Sequence, residues 1–274
     1  MPEGPEVKTV ARTLSERLVG KTLGDVWLSP YNLRKPADKM ALRALKDHRV
    51  DGVVSFGKVL FIEGAKQKPL IVAQLGMTGQ LVVCAKDAPV APHTHVRFSL
   101  TDSLEELRYI DPRRFGFFDA CDESIRESII SKLGPDPFVL NANDCADVIA
   151  TMKKSTRAIK EVLLDQSIIA GVGNIYAAEA LFQAGINPMR QACNISDKSY
   201  KRLIDAVIDV MHTGYKNCGT SFSNYVDGSG QKGSNISFVK VFQRDGQPCG
   251  ICQTKIARIK QGGRSTCYCP HCQR

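Results

Sequence analysis

Nowhere in its 274 residues does the chain carry an apolar run near the ~18–20 residues that a membrane-crossing helix needs. It does not open on a charged stretch followed by an apolar one, so no secretory leader is expected, and the expected compartment is the cytoplasm. No segment repeats and no low-complexity tail is present, which excludes solenoids and long disordered arms. Acidic residues are outnumbered: Asp plus Glu is 28 against 37 Lys plus Arg, a net charge of +9. That imbalance favours a polyanionic partner, nucleic acid first. It is also uneven, because Lys240 to Arg274 holds seven basic residues and one acid, Asp245.

What the chain has is length for two domains with real cores, and ten cysteines. Six of the cysteines, Cys84, Cys121, Cys145, Cys193, Cys218 and Cys267, follow no regular spacing. In a reducing compartment they are expected to be free and mostly buried. The other four form Cys249-x2-Cys252-x16-Cys269-x2-Cys272. Two CxxC knuckles at that separation match a four-cysteine zinc site on a hairpin, with paired disulfides as the alternative. Cys267 competes as a ligand, but the CxxC symmetry favours Cys269. Four thiolates leave no open position, so such a zinc, one Zn2+, is structural.

The first six residues, Met1-Pro2-Glu3-Gly4-Pro5-Glu6, admit two readings. Pro and acids suit a helix start and its dipole. Removal of Met1 would instead leave Pro2 as an N-terminal secondary amine. An α-amino group has a pKa near ~8, so much of it is a neutral nucleophile at neutral pH. Such an amine can attack a sugar aldehyde carbon and form an imine. Glu3 beside it would act as general acid and base.

Taken in order, Val7, Val10, Ala11, Leu14 and Leu18 have helical spacing, and Gly20 fits as the stop. Residues 21–121 read mostly as short strands: 53–54, 59–62, 70–73, 81–83 and 96–100, with a short helix at 39–46. Several short strands in a row point to a sandwich. Helices are expected at 123–133, 143–153, 157–165, 174–184 and 198–216. The Gly-rich stretch 226–235 reads as a mobile loop, and a cysteine hairpin ends the chain.

Three further stretches carry chemistry. Gly171-Val172-Gly173-Asn174 opens a helix, where backbone N–H groups can meet a phosphate, although most such turns are only helix starts. Asp111-Pro112-Arg113-Arg114-Phe115-Gly116 sets Arg beside Phe, as in a loop that enters a duplex with Phe as an unstacking wedge. Met77 in Gln74-Leu75-Gly76-Met77-Thr78-Gly79 is a second wedge candidate; core burial is the competing reading for Met77 and for Phe115. Between the cysteine knuckles lie Lys255, Arg258, Lys260 and Arg264, and Gly262-Gly263 would let Arg264 approach a phosphate.

Together these motifs, with Gly57-Lys58, resemble the bacterial formamidopyrimidine-DNA glycosylase family across nearly the whole chain and in the same order. The resemblance implies an α+β protein. Residues 1–130 would be a catalytic β-sandwich domain with an N-terminal helix. Residues 131–238 would be a helix–two-turn–helix domain with a lesion-capping loop, and 239–274 a β-hairpin zinc finger. It implies a bifunctional glycosylase and AP lyase of base excision repair, acting as a monomer on double-stranded DNA that contains oxidised bases or abasic sites. The DNA would lie in a cleft between the domains, and the compartment would be the bacterial-type cytoplasm with its nucleoid. Pro2 would form the Schiff base, with Glu3, Glu6 and Lys58 as further catalytic groups. Gln74, Met77, His93, Arg113, Phe115, Lys154, Asn174, Tyr176 and Arg264 would contact DNA.

The chain departs from the family pattern at a few positions. Gln74 stands where a His is usual, Gly4 where Leu is common, and Ser223 where Arg or Lys is often found. Phe242-Gln243-Arg244 replaces Tyr-Gly-Arg. The expected lesions are oxidised purines, 8-oxoguanine and formamidopyrimidines. An endonuclease VIII-like enzyme for oxidised pyrimidines is the nearest rival, and a non-catalytic zinc-finger DNA-binding protein a more distant one.

Overall fold

The computed structural model describes residues 2–101, 103–222 and 225–274. Met1 and Ser223, both singled out above, lie outside the described residues. The chain divides into two compact units: Met1–Ser131 with Asn217–Ile236, and Lys132–Lys216 with Ser237–Arg274.

The first unit runs α1 (Gly4–Leu18), β1 (Thr22–Leu28), α2 (Lys39–Ala44), β2 (Gly52–Phe56), β3 (Val59–Glu63), β4 (Pro69–Gln74), β5 (Gln80–Ala85), β6 (Thr94–Thr101), β7 (Glu105–Ile110), β8 (Phe117–Ala120) and α3 (Glu123–Ile130). Its strands form two antiparallel four-stranded sheets, ordered β1-β6-β7-β5 and β2-β3-β4-β8. This is the expected sandwich. Val7, Val10, Ala11, Leu14 and Leu18 bury one face of α1 with Leu23, Leu60, Ile62, Leu81, Phe98, Leu100 and Leu107 from both sheets. Each such side chain contributes about 1.5–3 kcal/mol of burial, so α1 is fixed by its packing. Val59, Phe61 and Val72 point to the opposite face of their sheet, where Ile129 and Ile130 of α3 pack on them. Covering on both faces explains why β3 is apolar from Val59 to Ile62.

Three strands were absent from the sequence reading: β1, β7 and β8. In β7 the reason is chemical. Glu106 and Arg108 are both buried in it, paired at 2.5 Å, and Arg97 of β6 joins Glu106 at 2.8 Å. Burial alone would raise the Glu106 carboxyl, but Arg97 and Arg108 bring it below its ordinary value. Arg108 also donates to the carbonyls of Ala88 and Pro89, both at 2.8 Å, which fixes the segment leading to His93.

The Gly-rich segment is not loose, as the sequence suggested. Asn217–Ile236 groups with the first unit, not with the helices that flank it. Asp227 accepts from Ser229 N and Gln231 N, both at 2.9 Å, and Gly233 N donates to Ser221 Oγ at 2.9 Å. We call this segment the strap.

The second unit contains α4 (Ala142–Lys153), α5 (Ile159–Leu163), α6 (Asn174–Ala184), α7 (Asp197–Lys216), and the hairpin β9 (Ala257–Gln261) with β10 (Arg264–Tyr268). Asn141 and Asp144 close a capping box on α4. Gly185, at φ +68°, ends α6 in the left-handed region that glycine tolerates. Tyr200, Leu203, Ile204, Val207 and Met211 are the buried stripe of α7. Ala178 and Phe182 of α6 share a second core with Val241, Ile256 and the buried cysteines of the hairpin. Among the described residues no helix is long and apolar enough to cross a membrane.

Candidate active site and metal centre

The amino end forms the helix start that its sequence suggested. Glu3 is the N-cap of α1, and Pro2 is buried beside it. Glu3 and Glu6 are each 1% exposed and form a reciprocal capping box, with Glu3 N donating to Glu6 Oε2 at 2.9 Å. Glu6 Oε1 accepts a second backbone proton, from Thr220 N of the strap, at 2.7 Å. Tyr225 Oη donates to Glu6 O at 3.3 Å and to Cys218 O at 3.0 Å. Burial, with the Glu6 charge beside it, pushes the Tyr225 phenol well above its ordinary pKa, so it stays a donor. Glu6 therefore ties the capping residue to the strap. Gly219, at φ +83°, lets the strap come this close, since a Cβ there would sit 2.9 Å from Glu6 Cγ.

Lys58 lies in the two-residue turn between β2 and β3, after Gly57 at φ +56°. It is half-buried. Gln74 ends β4; its carbonyl accepts from Tyr109 Oη at 2.9 Å. The next turn carries Met77, which packs outward at 41% exposure, and Phe115 is 45% exposed. Neither is a core residue, so the burial reading fails for both.

One buried carboxylate organises these two turns. Asp111 accepts from Thr78 Oγ1 at 2.5 Å, Gly116 N at 2.8 Å and Arg113 N at 3.3 Å. Gly76, at φ +59°, lies so near that a Cβ would be 2.6 Å from the Phe115 carbonyl carbon. The exposed Arg113 guanidinium stacks 4.4 Å from the Phe115 ring centroid. His93, at φ +63° and exposed, accepts from Asp111 N at 3.0 Å through its carbonyl. His95, which the sequence reading passed over, is buried behind them. It bridges Ser29 Oγ at 2.9 Å and Asp111 O at 3.2 Å, and burial lowers its pKa. Its sequence signal is position in β6, two residues from His93.

In the second unit, Asn174 opens α6 after Gly173, an N-cap with no side chain to offer. Asn174 Nδ2 donates to Ser265 O at 3.0 Å. Lys160, 1% exposed, donates through Nζ to Asn174 Oδ1 and to Thr266 Oγ1, both at 2.6 Å. A buried ammonium thus fixes Asn174 against β10, two residues from Arg264. Arg264 itself is exposed, after Gly262 (φ +53°) and Gly263 (φ +74°). Lys154 is exposed at the C-cap of α4. The Tyr176 side chain is buried, packed so closely on α7 that a Cβ at Gly214 would lie 2.3 Å from its Oη. Gln166 is a further residue the sequence reading missed. It accepts from Gly171 N at 3.0 Å and donates to Val172 O at 2.8 Å, shaping the glycine turn.

Glu179 was also missed. Within the apolar helix α6 its carboxylate accepts from Lys240 N (2.7 Å), Val241 N (3.0 Å) and Phe242 N (2.8 Å). Burial raises its carboxyl above the ordinary range despite these three donors. A lone acid in the run Ala177-Ala178-Glu179-Ala180-Leu181 is the signal that could have found it. Glu179→Ala would leave three donors without an acceptor, at about 1–3 kcal/mol each when buried. We expect about 3 kcal/mol or more of destabilisation in denaturant melts of the full chain. A loss below about 1 kcal/mol would show that water replaces the carboxylate.

The four CxxC sulfurs lie within 4.8 Å of one another. A zinc tetrahedron with Zn–S of about 2.3 Å has corners about 3.8 Å apart. Cys249 and Cys272 Sγ are 3.9 Å apart, and Cys252 and Cys269 Sγ 3.5 Å. The backbone N–H groups of Ile251 and Cys272 point at Cys249 Sγ (3.5 Å) and Cys269 Sγ (3.4 Å), as knuckle amides do toward thiolates. The site fits one structural zinc, and disulfide pairing is not what the geometry describes. Cys267 turns away and donates to Asp245 Oδ1 at 3.8 Å. The six remaining cysteines are free, as expected, but they are not mostly buried. Only Cys121 and Cys267 are buried, Cys193 is exposed, and Cys84, Cys145 and Cys218 are intermediate, because they sit on outward faces or turns.

Comparison with known proteins agrees with this geometry. The formamidopyrimidine-DNA glycosylase N-terminal domain model matches residues 1–118 and its H2TH domain model residues 133–225. A zinc finger found in FPG and IleRS matches residues 246–274. The formamidopyrimidine-DNA glycosylase of Pelotomaculum thermopropionicum is 39% identical, over 100% of this chain and 99% of its own. That of Geobacillus kaustophilus is 38% identical over the whole of both. Among solved structures, Lactococcus lactis Fpg in complex with an abasic site containing DNA gives a TM-score of 0.89 at 29% identity, over 99% of each chain. MutM in complex with carbocyclic 8-oxo-G containing DNA also gives 0.89, at 30% identity and 100% coverage of each. With full-length relatives well above 30% identity, and domain models that tile the chain from the amino end to the last cysteine knuckle, this protein belongs to the formamidopyrimidine-DNA glycosylase family.

Proposed function

We propose that this protein is a bifunctional DNA glycosylase and AP lyase of base excision repair that removes 8-oxoguanine and formamidopyrimidines from double-stranded DNA. The observation that carries the reading is the amino end, where Pro2 and a 1%-exposed Glu3 are held on a packed helix by the Glu6 carboxylate. A nucleophile aimed in this way gains from lost orientational freedom, which a loose terminus would not.

Once Met1 is removed, the Pro2 nitrogen attacks C1′ of a nucleotide flipped from the stack. The C1′–N bond breaks, its electron pair leaves with the base, and the base takes up a proton. The Pro2 nitrogen gives its own proton to Glu3; its lone pair then breaks the C1′–O4′ bond, O4′ takes that proton as the sugar ring opens, and an iminium joins the nitrogen to C1′. Loss of a C2′ proton then expels the 3′ phosphate, a further elimination expels the 5′ phosphate, and water releases the sugar fragment. Glu6 acts as a positioning residue, since both of its oxygens hold backbone N–H groups. Lys58, Gln74, Lys154, Asn174 and Arg264 contact phosphates, and Tyr176 contributes through its backbone at the helix start. Met77, Arg113 and Phe115 fill the space left by the flipped base, with His93 beside them. The zinc holds the Arg264 turn in shape. The protein works as a monomer on cytoplasmic, nucleoid DNA.

Borohydride trapping on a duplex with 8-oxoguanine opposite cytosine, at low salt, tests this reading. The expected result is a covalent adduct whose modified peptide begins at Pro2. Trapping on thymine glycol alone would move the activity to oxidised pyrimidines. No adduct on any lesion, abasic sites included, would leave only DNA binding.

A further inference from the structure

Several contacts fasten the strap to α1, and two of them hold its backbone N–H groups on α1 side chains. The first is the Glu6 carboxylate on Thr220 N. The second lies two turns further along the same helix, at a residue with no part in the chemistry above. Thr13, 6% exposed, donates its hydroxyl to Thr9 O at 3.0 Å and accepts from Gly228 N at 2.8 Å. Gly228 O in turn accepts from Val83 N of β5 at 3.0 Å. Gly228 lies so close to the helix that a Cβ would be 2.9 Å from Leu14 N and 2.6 Å from Leu14 Cγ. A threonine bonded back to the i−4 carbonyl brings a helix no gain of its own. Here its oxygen serves a partner distant in sequence.

These fastenings sit on the helix that carries Pro2 and Glu3, and they hold Thr220 and Gly228 of the strap against it. A base still attached to a sugar at Pro2 needs room beside those strap residues; an abasic sugar brings no base. We propose that Thr13 is a positioning residue for base excision, which sets the strap against the nucleotide through Gly228 and leaves the lyase steps untouched. This rests on the glycosylase reading above. Removing the hydroxyl strands the Gly228 N–H and lets the strap shift along α1.

The test compares two single-turnover rates in the full-length, zinc-loaded protein: release of 8-oxoguanine from its duplex, and cleavage of a preformed abasic duplex. Thr13→Val is expected to slow base release about tenfold and abasic cleavage by less than about twofold. Thr13→Ser, which keeps the hydroxyl, is expected to match wild type in both. Gly228→Ala, which drives the strap off Leu14, is expected to repeat the split. Equal losses on both substrates would mark a folding defect and overturn the positioning role. An unchanged base-release rate in Thr13→Val would overturn it too. A wild-type protein inactive on both duplexes would instead bring down the glycosylase reading itself, and this role with it.

Discussion

Glu3→Gln will slow base excision about 10²–10⁴-fold, the usual contribution of a positioned general acid and base. The substitution separates the cap that Glu3 provides from the proton transfer proposed for it. As N-cap, Glu3 accepts from the N3 backbone through a side-chain oxygen, and its own N–H donates to Glu6. A glutamine amide oxygen can still accept, and the backbone N–H is unchanged. Cap stability should therefore fall by only a few tenths of a kcal/mol, about 1 kcal/mol at most. The amide cannot take a proton from the Pro2 nitrogen or return one during elimination. Single-turnover release of 8-oxoguanine with enzyme in excess measures the loss, and a thermal melt measures the cap. A rate within about tenfold of wild type, with the fold intact, would reduce Glu3 to a capping residue. The Pro2 assignment would then rest on trapping alone.

Zinc removal carries the second large effect. The hairpin is two five-residue strands over a core of Val241, Ile256 and the ligand cysteines, with Ala178 and Phe182 of α6 beneath. So little apolar surface cannot hold a hairpin alone. In zinc-finger peptides the metal supplies about 10–16 kcal/mol of apparent free energy at neutral pH, far above what this cluster provides. Chelation should release one zinc per chain, expose 249–272 to protease and leave the sandwich unit resistant. Affinity for a lesion duplex should fall about a hundredfold or more as Arg264 loses its turn. Cys252→Ser should behave like the chelated protein. Full affinity in a folded, zinc-free chain would sink the structural-metal assignment.

Much of this was legible in the sequence because its signals are local. The cysteine knuckles, the helical spacing from Val7 to Leu18 and the glycine turn before Asn174 each act within a few residues, and the structure reproduces them. Strand β7 was hidden because Glu106 and Arg108 neutralise each other inside it, and periodicity reads charge as surface. Lys160 and Glu179 were hidden for the same reason: each is a buried charge whose partners lie on another element. Met77 and Phe115 could not be told from core residues, since apolar side chains held outward by Asp111 look the same on paper. The strap was read as loose because glycines mark flexibility. Here Gly219 and Gly228 mark close approach, which only the partner helix reveals.

The strap has a consequence for how the chain comes to be finished. Thr220 meets Glu6 across a separation of 214 residues. At synthesis rates of about 5–20 residues per second, the helix bearing Pro2 waits roughly 10–40 s for the backbone that completes its seat. The sandwich is the first part to emerge and among the last to close. A nascent or prematurely ended chain carries the amino end without the strap that Glu6 holds. That end, made first, gains its strap contact only when most of the protein has been translated.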